Sequence, residues 1–203
     1  MRMAAASALL PLISGCRGSA SAQRGADLLG RLRQNGVQDA NCEWCGARDT
    51  PDGVSSRAIL AATDEEGERI AIAGTVFAAD GMTPAPNTLI YLYHTDANGI
   101  YGSGGEHRHG RYRSWLLTDS RGKYQFETIR PASYPDSTIA AHIHMTITTE
   151  KQREDWIDSI LFAGDRFITA REREGRKGGF DPVVKLEMND KGVLSGVRNI
   201  KLA

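Results

Sequence analysis

The chain has 203 residues, enough for one domain with a proper core plus a tail. Its 25 basic and 25 acidic residues cancel, and no long run of one sign appears, which removes the electrostatic footprint of a nucleic-acid binder. With 22 glycines and a hydrophobic fraction of 40%, the composition is that of a turn-rich soluble protein, and no stretch after residue 16 is apolar enough to span a bilayer.

In chain order, residues 1–16 come first. Arg2 followed by the mostly apolar run 4–13 has the charged start and short apolar core of an export signal, too short for a membrane span. The run ends in Ile13-Ser14-Gly15-Cys16, which resembles the bacterial lipobox. That resemblance implies cleavage before Cys16, lipid attachment to it, and an exported, periplasmic or cell-surface protein whose only membrane contact is this anchor. An ordinary secretory peptide or a disordered leader is the plainer alternative. Residues 17–50 are expected to be a tether and N-terminal segment. Within them, 17–41 are rich in Ser, Ala, Gly and Arg, and one weakly amphipathic stretch, 26–32, predicts one or two helical turns.

Cys42-Glu43-Trp44-Cys45 follows. A zinc site would need two further ligands at suitable spacing, and no second CxxC exists. A redox motif would need a strand before it and a helix after it. Export permits a disulfide, so a local Cys42–Cys45 bridge is the expectation.

From residue 51 to 203 the pattern predicts one all-β domain. Short β-rich runs at 70–77, 88–94, 113–118, 123–129, 141–149, 183–187 and 193–201 alternate with turn signals, the spacing of a β-sandwich with long loops. Asp119-Ser120-Arg121-Gly122 and Asn189-Asp190-Lys191-Gly192 read as hairpin loops. A short peripheral helix is expected over 165–173. Tyr91 and Tyr93, alternating on one strand face, read as ordinary sandwich residues, and Trp115 and Trp156 as core.

His142-Ile143-His144 lies inside one β-rich run, so both imidazoles leave the same face while Ile143 points the other way. Alone, this pattern fits a polar face or a hydrogen-bonded pair as well as a metal site. Eight residues upstream, Tyr134-Pro135 sits in the turn segment 130–136, and Tyr101 follows Asn98-Gly99-Ile100. Glu106-His107-Arg108-His109 raises a second metal hypothesis, but it lacks the glycine spacing of a cupin motif and reads as a polar loop at a pocket rim.

With these elements assembled, the sequence resembles the intradiol ring-cleavage dioxygenases, the family of protocatechuate 3,4-dioxygenase and catechol 1,2-dioxygenase. The resemblance rests on 95–101, on 118–131, on Tyr134-Pro135 and on Ala141-His142-Ile143-His144, in the family's order and close to its spacing, and covers roughly 74–162. It implies a transthyretin-like sandwich with one non-haem Fe(III) per chain, ligated by Tyr101, Tyr134, His142 and His144. It implies O2-dependent cleavage of a small aromatic diol to a cis,cis-muconate-type product, with Tyr134 both ligand and base, and it leaves room for a homo-oligomer. The donor types suit the ion, because a small, highly charged cation favours anionic oxygen and deprotonates phenols well below their free pKa of ~10.

Two departures stand out. Where better-known members carry an arginine three residues before the first histidine, this chain has Ile139, and Ser159 stands near the place of a family glutamine. Ile139 and Ile100 are taken as pocket residues; Arg111, Arg113 and Arg130 are candidates to replace the missing charge but read as solvated surface charges. The rival readings are a non-catalytic transthyretin-like binding module, and a copper or zinc protein that uses only His142 and His144.

Overall fold

The computed structural model describes residues 17–102, 107–174 and 176–203, so the proposed leader, Cys16 and Glu106 lie outside the described residues. The domain is a β-sandwich of two sheets. Its strands are β1 (Arg57–Ile59), β2 (Arg69–Phe77), β3 (Leu89–Tyr93), β4 (Arg113–Leu117), β5 (Lys123–Ile129), β6 (His142–Thr148), β7 (Asp155–Phe162), β8 (Val183–Val184), β9 (Glu187–Met188), β10 (Leu194–Val197) and β11 (Ile200–Lys201). One sheet runs β1-β5-β2-β10-β9 with β11 also on β2, and the other runs β4-β3-β6-β7-β8.

Alternation builds the core. Ile70, Ile72 and Val76 of β2 and Tyr124 and Phe126 of β5 face Ile90 and Leu92 of β3 and Ile143, Met145 and Ile147 of β6 between the sheets. The hairpin loops form as the sequence predicts. Asp119 Oδ1 accepts from the backbone N–H groups of Arg121 and Lys123, and Asn189 Oδ1 from those of Lys191 and Val193.

Two strands were not foreseen. β1 is only three residues long and pairs parallel to β5. β7 hides its period behind a bulge: Ile143 of β6 faces Ile160 while Met145 faces Ile157, so Asp158 and Ser159 together oppose the single residue His144. Ile157 and Ile160 both turn into the core three positions apart, which matches no period-2 template. The expected run 183–187 divides between sheets, β8 pairing with β7 and β9 with β10.

The helical expectations need correction. Residues Arg17–Asn35 form a 19-residue helix, α1, rather than a tether with a turn or two. Leu29 and Leu32, three apart on one face, bury against Ala47 and Leu89. Low apolar content concealed the helix, since its stability comes from tertiary packing more than from propensity. The C-terminal helix, α2, is shorter than 165–173 and spans Ala170–Glu174. Thr169 and Glu172 form a reciprocal capping box at its start, while Asp165 accepts from the backbone N–H groups of Ala141 and Phe167. Among the described residues, no helix is long and apolar enough to cross a membrane.

Candidate metal centre

The face of the β4-β3-β6-β7-β8 sheet turned away from the core carries the polar and aromatic set. Because Ile143 and Met145 point inward, His142 and His144 point outward, and their Nε2 atoms lie 2.9 Å apart. His142 Nδ1–H donates to the Ala140 carbonyl at 2.7 Å, which leaves its Nε2 lone pair free to face the centre. The ring of Tyr93, on β3, stacks on His144 with centroids 4.5 Å apart and fixes its plane.

Two loops bring the tyrosines. Ile100 N–H and Asn98 N–H both donate to Asp96 Oδ1, closing a tight turn before Tyr101. Gly99 has φ +81°, and a Cβ there would meet the Ser133 carbonyl oxygen at 2.0 Å, so only glycine lets this turn lie against the loop that carries Tyr134. Thr95 Oγ1 donates to the Ala132 carbonyl and Ala132 N–H to the Asp96 carbonyl, tying the two loops together. The phenol oxygens of Tyr101 and Tyr134 therefore lie 2.7 Å apart, with the Tyr134 oxygen 3.4 Å from Nε2 of both His142 and His144.

Burial lowers the pKa of His142, and lowers that of His144 to about 3, so both rings are neutral and able to ligate. Burial, then the hydrogen bond with Tyr134, pushes the Tyr101 phenol above its ordinary range. A phenol in that setting ionises only with a positive charge beside it. Two phenol oxygens and two imidazole nitrogens, all within 3.4 Å of a neighbour in the set, fit a hard cation of high charge. Among the described residues, no group of three or more His, Cys, Asp and Glu side chains is placed to hold a metal ion, so a four-donor set here has to include the tyrosines.

Tyr101, Tyr134 and His144 open onto a cavity of about 580 Å³. Several of its walls differ from the sequence expectations. Tyr93 borders the cavity, and Tyr91 bonds His109 Nδ1 at 2.6 Å instead of serving the sandwich interior. His109 is no rim residue: it is 3% exposed, stacks on Tyr93 at 3.8 Å, and reaches the Glu43 carbonyl with Nε2. Trp156 is not core but 46% exposed, and it borders the cavity with Ser159 and Trp44. Trp115 is half-buried, its Nε1–H donating to the Gly46 carbonyl.

Ile100 and Ile139, taken as pocket residues, are not among the residues lining this cavity; they are 52% and 49% exposed on the segments next to Tyr101 and Tyr134. The three arginines weighed as replacements do not border the cavity either, and Arg111 and Arg130 fit their reading as surface charges. Arg111 pairs with Glu65, Arg130 with Glu68, and Arg113 donates to the Gly110 carbonyl. The guanidinium bordering the cavity is that of Arg108.

Arg108 donates to the Cys42 carbonyl, and the structure joins Cys42 to Cys45 in a disulfide. This turn packs tightly on the sheet, since a Cβ on Gly46 would meet the Tyr91 ring at 2.3 Å. A segment read as a tether thus supplies a wall of the site. Its only sequence signal was the CxxC, which carries no information about where the turn docks.

The family model described as "Dioxygenase" (Dioxygenase_C) matches residues 52–174. Catechol 1,2-dioxygenase of Acinetobacter baylyi (strain ATCC 33305 / BD413 / ADP1) is 32% identical over 136 residues, covering 58% of this chain and 43% of that protein. The protocatechuate 3,4-dioxygenase beta chain of Burkholderia cepacia is 28% identical over 117 residues, covering 50% of this chain and 48% of that one. The chain therefore spans under half the length of these curated relatives. The solved structure of mercury-inhibited catechol 1,2-dioxygenase from Acinetobacter sp. ADP1 shares the fold, with a TM-score of 0.58 at 22% identity over 91% of this chain and 78% of that one. The dioxygenase domain of a dioxygenase carbohydrate-binding protein fusion from Streptomyces sp. SirexAA-E does so with a TM-score of 0.57 at 20% identity over 75% and 90%.

Proposed function

Since the chain belongs to the intradiol ring-cleavage dioxygenase family, we propose that it is an oxidoreductase that opens a catechol-type aromatic between its two hydroxyl-bearing carbons. Both atoms of O2 enter the product, a cis,cis-muconate-type diacid. In this reading Tyr101, Tyr134, His142 and His144 hold one non-haem Fe(III). The observation that carries it is the convergence of the Tyr101 and Tyr134 phenol oxygens, 2.7 Å apart, on the Nε2 atoms of His142 and His144. When bound, the ferric ion supplies the charge that keeps phenols ionised and draws electron density from a bound catecholate.

The chain's own residues do the rest. His142 and His144 stay neutral and are fixed by the Ala140 carbonyl and the Tyr93 ring. Tyr134, in a half-buried loop at the cavity edge, is the group we assign to take the substrate's hydroxyl proton on its phenol oxygen. Tyr101, tied by its turn to the Tyr134 loop, remains in place as that exchange occurs. Ile139 offers no charge in place of the family arginine, so the electrostatic help falls to Arg108 at the cavity wall. Export and lipid attachment at Cys16 belong to the same proposal, supported by the residue pattern over 1–16.

The test is a visible spectrum and an iron determination on protein purified from residue 17 onward, before and after anaerobic addition of catechol. A broad tyrosinate-to-iron(III) band that shifts with catechol, with stoichiometric iron, is expected. Tyr134→Phe is expected to lower turnover by at least two orders of magnitude, typical of a lost acid–base group that is also a ligand. A colourless protein that refuses iron overturns the four-ligand assignment and favours a binding module.

A further inference from the structure

We propose that Trp44 and Trp156 determine specificity, forming aromatic walls for a flat, extended substituent, so that the preferred substrates are catechols carrying a second conjugated or aromatic group. This rests on the catechol-cleaving reading of the same site. The cavity measures about 580 Å³. One benzene ring is satisfied by about 150 Å³, while pockets for larger ligands span roughly 300–1,000 Å³. Tyr101, Tyr134 and His144 lie on its wall and fix where the diol must sit, which leaves most of the space to something attached to the ring. Trp44 and Trp156 border that same space, with Met145 and Ile157 adding apolar surface.

The backbone under Trp44 and the ring of Trp156 are both tied to neighbouring groups. The turn carrying Trp44 is closed by the Cys42–Cys45 disulfide and anchored at its end, where Gly46 and Ala47 donate N–H groups to buried Glu154. Lys177 Nζ sits 3.8 Å from the centroid of the Trp156 ring and pairs with Asp155 at 2.8 Å, fixing the indole while it stays 46% exposed. Partly exposed indoles on the wall of the cavity suit a planar partner, because aromatic rings gain from offset stacking beyond the area they bury.

The experiment compares catechol, 4-phenylcatechol and 4-tert-butylcatechol as substrates of the iron-loaded enzyme, and measures their binding under argon by calorimetry. The wild type is expected to favour 4-phenylcatechol over catechol by about tenfold in kcat/KM, with 4-tert-butylcatechol gaining less because it is not flat. Trp44→Ala and Trp156→Ala are each expected to erase most of that preference through KM, lowering kcat/KM for 4-phenylcatechol more than for catechol. Trp44→Phe, which keeps an aromatic face, is expected to retain it. Equal losses for all three compounds, or no preference in the wild type, overturn the proposal. If the protein cleaves none of them, the dioxygenase reading fails; tighter, Trp44-dependent binding of 4-phenylcatechol would still uphold the aromatic walls, and binding indifferent to the substituent would remove them.

Discussion

The buried carboxylate of Glu154 accepts the backbone N–H of Gly46 at 2.8 Å across 108 positions of sequence, and through that contact the N-terminal segment becomes part of the site. The same carboxylate takes hydrogen bonds from Ala47 N–H, Val37 N–H and the Thr146 hydroxyl. Glu154→Ala strands those donors in a place where Glu154 itself is only 4% exposed. Each buried unsatisfied donor costs about 1–3 kcal/mol, so stranding these four should cost at least about 4 kcal/mol in urea unfolding. Glu154→Gln, which keeps one acceptor, should lose less. A change under about 1 kcal/mol for Glu154→Ala would show that the segment is docked by other contacts.

Reducing the Cys42–Cys45 bridge should loosen the turn that carries Trp44 without touching the four donors. A short-loop disulfide contributes roughly 2 kcal/mol in the chain-entropy picture. The Cys42→Ser/Cys45→Ser double variant is expected to lose about that much, to raise KM for large catechols, and to keep the iron(III) absorption band. Loss of the band in this variant would mean that the turn positions the metal ligands as well.

His94 makes stability depend on pH. It is fully buried between the Thr95 carbonyl, to which Nδ1–H donates, and the Thr128 hydroxyl, which donates to Nε2. Burial lowers its pKa to about 4. The unfolded chain, with a pKa of about 6.5, binds the proton first as pH falls, so the neutral-His94 contribution is complete above about 6.5 and drains away toward pH 4. The full loss is about 3 kcal/mol at roughly 1.4 kcal/mol per pH unit. Chemical denaturation at pH 7 and pH 4.5 should show a smaller difference for His94→Gln than for the wild type, and identical differences would rule His94 out.

Metal removal should leave the fold standing. His142 and His144 lie on the outer face of the sheet and the two tyrosines on loops beside it, whereas the main core of Ile72, Ile90, Phe126, Ile143 and Ile160 lies between the sheets. Dialysis against an iron chelator is expected to abolish the visible band, to lower Tm by several degrees through lost ligand binding, and to leave the far-ultraviolet circular dichroism unchanged. A collapse of the β signal would show that the metal organises the sandwich.

The amino-acid sequence by itself determined the sandwich and singled out the four residues proposed as donors. Alternating apolar residues specify strands such as β2, β5 and β6, and Asp119 and Asn189 with their glycines specify turns, because these signals act between near neighbours. His142 and His144 were legible together because strand pleating sends both to one face. Tyr101 and Tyr134 were legible only through the family resemblance, since nothing local says that loops 33 residues apart meet. Tertiary structure alone decided what surrounds them. The β7 bulge breaks the alternation that would have revealed the strand, and it sets Ser159 at the cavity rather than in the core. Helix α1 is held by Leu29 and Leu32 against a sheet it could not announce. Trp44, His109 and Arg108 reach the cavity through carbonyl contacts and the buried Glu154, and backbone hydrogen bonds made across a hundred residues leave no periodic trace in sequence.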